Sequence, residues 1–315
     1  MDKPLVSVLV TTYNHEAWIE NCLESVLNQR DANIEVLVHD DNSSDSTGRI
    51  LQKYSDRCVI VRNETGINIG VSRSFNKIHR MAKGDYIAMV SGDDAWHLDK
   101  LSRQLAFMEA NKSCDICFTD SITMDAAGNF GPRFPVFLPD DLNRKQWIYR
   151  LAFGNCILAA SSFIRNSGWA RNNRINESMR QLQDWDYWIR AVCSGLNFHT
   201  IQEPLTHYRV IDSSVSGEVS PQKSSREHFE TVQCLKSFQL LHLTELREVF
   251  GSHLEQDPMF IKDRSVQAGL AIVLRLIGSP CHRQAAADLL HARFACGESH
   301  ISDHEYHDFI GSLNL

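Results

Sequence analysis

The sequence predicts an α/β fold with a largely parallel sheet. Two observations predict it: short β-branched runs alternate with segments of helical periodicity, and polar residues follow the runs. The first strand spans residues 5–10, and apolar residues repeat at helical spacing behind it. Further strands are predicted at 34–38, 59–61, 86–90 and 116–119, and helices at 48–54, 71–82 and 98–111. Such alternation implies right-handed βαβ units.

The later segments of the chain have a different pattern. Prolines mark a loop-rich stretch after residue 119, followed by a mixed segment at 149–164, a helix at 185–195 and an extended segment at 198–210. Amphipathic helices, including 228–250 and 265–277, are predicted beyond residue 221. The chain has 315 residues, which suits one large domain with an appendage or two domains. We place the boundary near residue 218.

Composition narrows the class of protein. Hydrophobic residues make up 43% and charged residues 23%, as in ordinary globular proteins. The net charge of −7 argues against nucleic acid as a partner. Nine scattered cysteines, with no signal-peptide pattern at the start, predict a reducing, cytoplasmic location. Cys114 and Cys117 lie in a strand pattern without a second pair, so we expect buried cysteines rather than a zinc site.

Polar residues follow three of the predicted strands, at 11–14, 40–42 and 91–94. Ligands of open α/β sheets bind where such strand ends converge, so one composite site is predicted. Alternatively, the polar residues at each strand end form turns or helix caps by hydrogen bonding to the local backbone. Adjacent carboxylates at Asp93 and Asp94 favour a hard cation, Mg²⁺ or Mn²⁺. Neither a G-x-G-x-x-G fingerprint nor a Walker A sequence is present.

Five blocks in this order, VSVLVTTYN, VLVHDDNSSDST, INIGVSRSFN, GDYIAMVSGDDAW and QDWDYWIR, resemble the inverting glycosyltransferases of family 2. The resemblance covers roughly residues 4–215. It implies a GT-A type nucleotide-diphospho-sugar transferase fold, Rossmann-like, with a helical C-terminal extension. The implied divisions are a catalytic domain at 1–218, with a nucleotide-sugar half at about 1–120 and an acceptor half at about 121–218, and a helical region at 219–315.

The same resemblance implies roles on the donor side. Thr11 and Tyr13 match the loop that holds the nucleotide base, and Asp41 matches the carboxylate that accepts a hydrogen bond from the base. Arg73 matches the basic residue near the nucleotide. Asp93 would bind the ribose, and Asp94 would bind the divalent metal, Mn²⁺ or Mg²⁺. The common form of this motif is Asp-x-Asp-Asp, and Ser91 replaces its first aspartate here. Which of Asp93 and Asp94 binds the ribose and which binds the metal is therefore left open.

On the acceptor side, the resemblance makes Asp184 the general base. Asp186 lies two residues further along the same predicted helix, points elsewhere, and suits a supporting role near the helix N-terminus. Asn14, His207 and Arg209 are weaker site candidates; the two in HYRVIDSSVS equally suit strand packing or a surface position.

The implied activity moves a UDP- or dTDP-linked sugar to a hydroxyl of a glycan or lipid-linked acceptor. Bacterial cell-surface polysaccharide synthesis is the implied setting, at the inner face of the cytoplasmic membrane. A nucleotidyltransferase and a catalytically silent nucleotide-sugar binding or scaffold protein remain alternatives. The C-terminal helices are expected to pack as core, with peripheral membrane contact or homodimerisation as further roles.

Overall fold

The computed structural model describes residues 3–63, 66–133, 142–167, 170, 173–211 and 220–314. The chain forms two compact units. The first comprises residues 1–142, 156–184 and 197–218, and the second comprises 143–155, 185–196 and 219–315. The second unit therefore takes two short segments from within the predicted catalytic domain in addition to the C-terminal region.

The first unit holds one mixed sheet. Its described strands are β1 (Leu5–Thr12), β2 (Asn33–Asp40), β3 (Val59–Arg62), β4 (Tyr86–Ser91), β5 (Ala95–Trp96), β6 (Ile116–Met124), β7 (Phe130–Arg133), β8 (Phe163–Arg165) and β9 (Phe198–Arg209). They follow the order β3-β2-β1-β4-β8-β6-β9-β5, and β7 pairs with β6. The helices between them are α1 (Ile19–Leu27), α2 (Thr47–Gln52), α3 (Val71–His79) and α4 (Lys100–Ala110).

Strands β3, β2, β1 and β4 are mutually parallel, which confirms the α/β class predicted from the alternating pattern. Strand β1 has a hydrogen-bonded neighbour on each side and is buried from its second residue onward, which explains its nearly continuous apolar sequence. Its register places Thr12 beside Asp40 and Thr11 beside Ser91. The polar ends of three strands therefore lie at one edge of the sheet.

Antiparallel pairing begins beyond β4. Strand β8 runs antiparallel to both β4 and β6, and β5 runs antiparallel to β9. Strands β6 and β9 are parallel, with irregular register around Asp120. The short strand β5 follows Asp94 directly and pairs Ala95 with His207. The turn that carries Asp93 and Asp94 is thus held between β4 and the end of β9.

The second unit is helical. Its described helices are α5 (Arg144–Leu151), most of α6 (Gln183–Cys193), α7 (Pro221–Lys236), α8 (Leu243–Leu254), α9 (Pro258–Lys262), α10 (Val266–Ile277), α11 (Pro280–Ala295) and α12 (Asp303–Ser312). Helix α10 begins at a Ser265 cap and ends at Gly278, whose φ of 79° is left-handed. No helix in the described part of the chain is long and apolar enough to cross a membrane.

The predicted single helix over 228–250 is wrong. Helix α7 ends at Lys236, and a short 3-10 turn precedes the extended residue Leu241. Phe238 and Leu241 are buried in this break. A new helix starts because the Glu245 side chain accepts a hydrogen bond from the His242 amide, at 3.1 Å, as in a capping box. Burial of these two apolar residues and the new cap interrupt an otherwise helical pattern.

Candidate active site

The loop after β1 is tied to the loop after β2. The Asn14 amide donates to Ser43 Oγ at 2.9 Å, and Asn14 Oδ1 accepts from the Ser44 amide at 2.9 Å. The φ of Asn14 is 55°, a left-handed conformation that asparagine tolerates better than most residues. Asn14 therefore positions the two loops relative to each other. Beside it, Tyr13 is 43% exposed at the strand end, where an aromatic ring can serve as a stacking surface.

Asp41 is a buried carboxylate that organises a third loop. Its Oδ1 accepts from the Ile69 amide at 2.9 Å and from Asn63 Nδ2 at 3.1 Å, and its Oδ2 accepts from the Gly70 amide at 2.7 Å. Gly70 has a φ of 89° and precedes helix α3. The resemblance implies a hydrogen bond from the nucleotide base to Asp41. In the structure this carboxylate also holds the loop that leads into α3.

Arg73 lies in the first turn of α3 and is largely exposed. Its Nε is 3.5 Å from Glu177 Oε2. The segment around Glu177 is fixed to α3, because Asn76 Nδ2 donates to the Ile175 carbonyl at 2.8 Å. The structure therefore gives Arg73 a carboxylate partner on the segment 175–177, and its role beside a nucleotide stays a prediction.

Gly92 allows close approach between the first and fourth strand ends. Its amide donates to the Thr11 carbonyl at 2.9 Å. A Cβ at this position would lie 2.7 Å from Thr12 Oγ1 and 2.9 Å from His15 Nδ1. No sequence pattern marks His15 as a site residue, although it follows the polar strand end directly. Its Nε2 is 4.0 Å from Asp93 Oδ2, and burial lowers its pKa while Asp93 opposes that shift.

Asp93 and Asp94 have different surroundings. Asp94 is buried, and its Oδ1 accepts from the Arg209 amide at 2.9 Å. Burial, followed by the adjacent Asp93 charge, raises the pKa of Asp94 well above its ordinary value. Asp93 Oδ1 is also buried, and no donor among the described residues forms a hydrogen bond with it. Asp93 thus offers an oxygen that lacks a protein donor.

Arg209 is buried behind this turn. Its Nε donates to the Asp93 carbonyl at 2.7 Å, its Nη1 to the Asp125 carbonyl at 2.6 Å, and its Nη2 to Asn21 Oδ1 at 3.2 Å. The guanidinium therefore joins the end of β9 to three other segments of the first unit through several donors at once. The structure identifies Arg209 as a residue that positions the Asp93–Asp94 turn.

His207, the other candidate from the same segment, is partly buried in β9. Its ring centroid lies 4.6 Å from that of Phe130 and 6.5 Å from that of His97. Burial, with a smaller contribution from His97, lowers the pKa of His207 to about 4. The imidazole is therefore neutral at pH 7, where it can donate one hydrogen bond and accept another.

Helix α6 carries both candidate carboxylates of the QDWDYWIR block. Asp186 is buried, with Oδ2 accepting from Arg190 Nε at 2.8 Å and Oδ1 accepting from Ser237 Oγ at 2.8 Å. Both of its oxygens are therefore used by protein donors. Asp184 is the second residue of the helix and is partly exposed. These contacts agree with a supporting role for Asp186, while the base role of Asp184 stays a prediction.

The donor set limits how a metal could be held. No group of three or more His, Cys, Asp and Glu side chains within the described ranges could hold an ion. One or two carboxylates suffice when substrate phosphates and water complete the coordination of Mg²⁺ or Mn²⁺. The orphaned Oδ1 of Asp93, beside the buried Asp94, fits a cation of this kind. Cys114 and Cys117 are buried with pKa values raised by burial, as expected for strand cysteines.

The four parallel strands and the acidic turn after β4 fit a GT-A type transferase, the class that the sequence resemblance implies. Residues 7–167 match the model of Glycosyl transferase family 2. The chain belongs to this family and is a glycosyltransferase.

Relatives of this chain include bacterial glycosyltransferases. The putative teichuronic acid biosynthesis glycosyltransferase TuaG of Bacillus subtilis is 32% identical over 68% of this chain and 82% of its own length. The UDP-Glc:alpha-D-GlcNAc-diphosphoundecaprenol beta-1,3-glucosyltransferase WfaP of Escherichia coli is 30% identical over 67% and 80%, respectively. The crystal structure of S. aureus TarS 1–349 with UDP-GlcNAc aligns with a TM-score of 0.63 and 18% identity, covering 98% of this chain and 91% of that one. At that identity the likeness shows the fold.

Proposed function

We propose that the chain transfers a sugar from a UDP- or dTDP-linked donor to a hydroxyl of a glycan or lipid-linked acceptor, with inversion at the anomeric carbon. One observation supports the proposed donor site: Asp93 Oδ1, in the turn after β4, is buried and has no hydrogen-bond partner among the residues that the structure describes. This turn lies at the edge of the sheet where three strand ends converge. A carboxylate of this kind needs a hydroxyl or a cation as its partner.

The donor would bind along the strand ends. Thr11 and Tyr13 would contact the base, with the exposed Tyr13 ring as a stacking surface. Asp41 would accept a hydrogen bond from the base, Asp93 would contact the ribose or share the metal, and Asp94 would hold the metal. A bound Mn²⁺ or Mg²⁺ would stabilise the negative charge that develops on the leaving diphosphate.

On the acceptor side, Asp184 would accept the proton of the attacking hydroxyl. The acceptor oxygen would form a bond to the anomeric carbon while the bond to the nucleoside diphosphate breaks. A positioned base of this kind contributes about 10²- to 10⁴-fold in rate. Attack from the face opposite the leaving group, in a single displacement, inverts the anomeric configuration.

The names of two relatives support the acceptor class. WfaP is a glucosyltransferase that uses UDP-Glc and a diphosphoundecaprenol-linked sugar, and TuaG is assigned to teichuronic acid synthesis. For this chain we propose the same class of acceptor, a lipid-linked or polymeric glycan. The same proposal puts the enzyme at the inner face of the cytoplasmic membrane, with its C-terminal helices in peripheral contact or in a homodimer.

The test is donor hydrolysis and transfer by the purified chain across a panel of nucleotide sugars, with and without Mn²⁺. We expect hydrolysis of a UDP- or dTDP-sugar that depends on the cation, and an inverted anomer in the transfer product by NMR. Asp93→Asn and Asp94→Asn should remove the cation dependence together with the activity. A retained anomeric configuration would rule out single displacement.

Matched carboxylate variants separate the roles. Asp184→Asn should lower transfer about 10²- to 10⁴-fold with donor binding intact. The control variant Asp56→Asn, at an exposed aspartate, should leave transfer and donor binding unchanged. Normal transfer by Asp184→Asn, with transfer lost in a folded Asp186→Asn, would reverse the two assignments. The family favours the transferase over the two alternatives, and a nucleotide sugar that binds without hydrolysis or transfer would favour the scaffold protein.

A further inference from the structure

His15 lies in the loop after β1, where contacts with three other segments hold it. Its amide donates to Thr47 Oγ1 at 2.9 Å, at the start of α2, and its carbonyl accepts from the Ile19 amide at 2.8 Å, at the start of α1. Its ring Nδ1 lies 3.3 Å from Thr12 Oγ1, at the end of β1. These neighbours fix the backbone of His15 and one edge of its ring.

The other edge of the ring faces Asp93, in the turn after β4. His15 Nε2 is 4.0 Å from Asp93 Oδ2, too far for a direct hydrogen bond. Neither of these two atoms forms a hydrogen bond with any residue that the structure describes. The two side chains are 17% and 15% exposed, respectively, and the buried oxygen of Asp93 is Oδ1. Oδ2 is therefore the oxygen of this carboxylate that a ligand can reach.

The two facing atoms offer a ligand different hydrogen-bonding groups. The carboxylate oxygen of Asp93 accepts hydrogen bonds only. With the Thr12 hydroxyl donating to Nδ1, the ring proton of His15 lies on Nε2, which is then a donor. An oxygen about 2.8 Å from each atom would bridge their separation of 4.0 Å. A hydroxyl group fits this position, because it donates one hydrogen bond and accepts another.

The charges around this gap favour an uncharged ligand group over a phosphate oxygen. Asp94 follows Asp93 directly, and the charge of Asp45 also acts on His15. The guanidinium of Arg209, the cation of this turn, already donates to protein acceptors through Nε, Nη1 and Nη2. A phosphate oxygen in the gap would lie against the negative Oδ2 of Asp93, and a cation would meet the Nε2 proton of His15.

We propose that His15 and Asp93 together bind one ribose hydroxyl of the nucleotide donor, which donates to Asp93 Oδ2 and accepts from His15 Nε2. This inference rests on the proposed function, in which Asp93 contacts the ribose. It makes the sugar of the nucleoside a point at which the enzyme selects its donor. Binding of the 2′-hydroxyl would favour UDP- over dTDP-linked sugars, because deoxyribose lacks that group. Binding of the 3′-hydroxyl, which both nucleotides carry, would admit both.

The test is calorimetric titration of the full chain with UDP, 2′-deoxy-UDP and 3′-deoxy-UDP in the presence of Mn²⁺. We expect at least one deoxy analogue to bind about three- to tenfold more weakly than UDP, the effect of one hydrogen-bonded hydroxyl. The analogue that binds more weakly identifies the hydroxyl that the pair contacts.

Two variants of His15 separate contact with the ligand from support of the loop. In His15→Asn the amide can take the place of Nδ1 beside Thr12, but no atom lies at the position of Nε2. In His15→Gln the amide nitrogen can reach that position and donate. His15→Asn should therefore bind UDP and the weaker analogue with equal affinity, whereas His15→Gln should keep the preference for UDP. Thermal unfolding checks that each variant is folded.

The control is His304→Gln, at an exposed histidine 3.5 Å from Asp308 in the helical unit, which should leave all three affinities unchanged. Equal affinity of the unaltered chain for the three nucleotides would overturn the inference, as would an undiminished preference for UDP in folded His15→Asn. Either result, with donor hydrolysis and transfer intact, would leave the proposed function standing. No binding of any uridine nucleotide, together with no hydrolysis of any nucleotide sugar, would contradict the proposed function itself.

Discussion

Lys100 is a fully buried cation in the first turn of α4, and its replacement by methionine should change how stability depends on pH. Its Nζ donates to Gln104 Oε1 at 2.8 Å and to the Ser162 carbonyl at 3.4 Å, and it lies 4.1 Å from the centroid of the Trp96 ring. Burial lowers the pKa of Lys100 from 10.5 to about 7. No carboxylate in the described part of the chain forms an ion pair with it.

The magnitude follows from linkage. Each pKa unit corresponds to about 1.36 kcal/mol, so a fall from 10.5 to about 7 disfavours folding by up to about 5 kcal/mol below pH 7. Because the unfolded chain binds the extra proton between these values, this penalty disappears as pH rises from about 7 to 10.5. The contacts with Gln104, Ser162 and Trp96 favour the charged amine, so the figure is an upper limit.

The assay is equilibrium urea unfolding followed by circular dichroism across this pH range. The lysine should add a positive slope of up to about 1.4 kcal/mol per pH unit to the free energy of unfolding, and Lys100→Met should lack it. At neutral pH the variant should be the more stable protein. Its gain in the free energy of unfolding should be reduced by about 1–3 kcal/mol, because Gln104 Oε1 loses its donor. Lys53→Met, at an exposed lysine, should keep the slope. Equal slopes with and without Lys100 would refute the reasoning.

Two further substitutions test the site's supports. Gly92→Ala should lower the free energy of unfolding by about 1–3 kcal/mol and weaken donor binding, because the new methyl would lie 2.7 Å from Thr12 Oγ1. Thermal unfolding and donor titration measure the two effects, and normal donor affinity would contradict the prediction. Asp186→Asn should lower the free energy of unfolding by about 2–3 kcal/mol, because it removes the charge that faces the partly exposed Arg190. Donor affinity, measured on the folded variant, should stay unchanged. A loss of donor affinity without a loss of stability would give Asp186 a direct role in donor binding.

Much of the first unit could be predicted because its signals are local. The β-branched run at 5–10 followed by a helical repeat, and the same sequence of patterns three more times, correspond to β1–α1 through β4–α4. The polar strand ends could be assigned to one edge because carboxyl ends of parallel strands converge there. The family resemblance adds predicted residue roles that no periodicity encodes.

Other features depended on contacts distant in sequence. Arg209 lies 116 residues after Asp93, and nothing in HYRVIDSS shows that its guanidinium binds the turn carrying that aspartate. The amides that bind Asp41 come from residues 69 and 70, which no local pattern pairs with it. The break after Lys236 cannot be read from the local sequence, because burial of Phe238 and Leu241 overrides helical periodicity.

By itself, the sequence determined the order of strands and helices from β1 to α4 and the positions of the acidic strand ends, because short-range periodicity and turn chemistry encode both. Only the tertiary structure decided which carboxylate oxygens are used by protein donors and which are left over. Both oxygens of Asp186 and the Oδ1 of Asp94 have donors, whereas Asp93 Oδ1 has none among the described residues. The physical reason is that burial and hydrogen bonding are set by groups that meet only when distant segments pack.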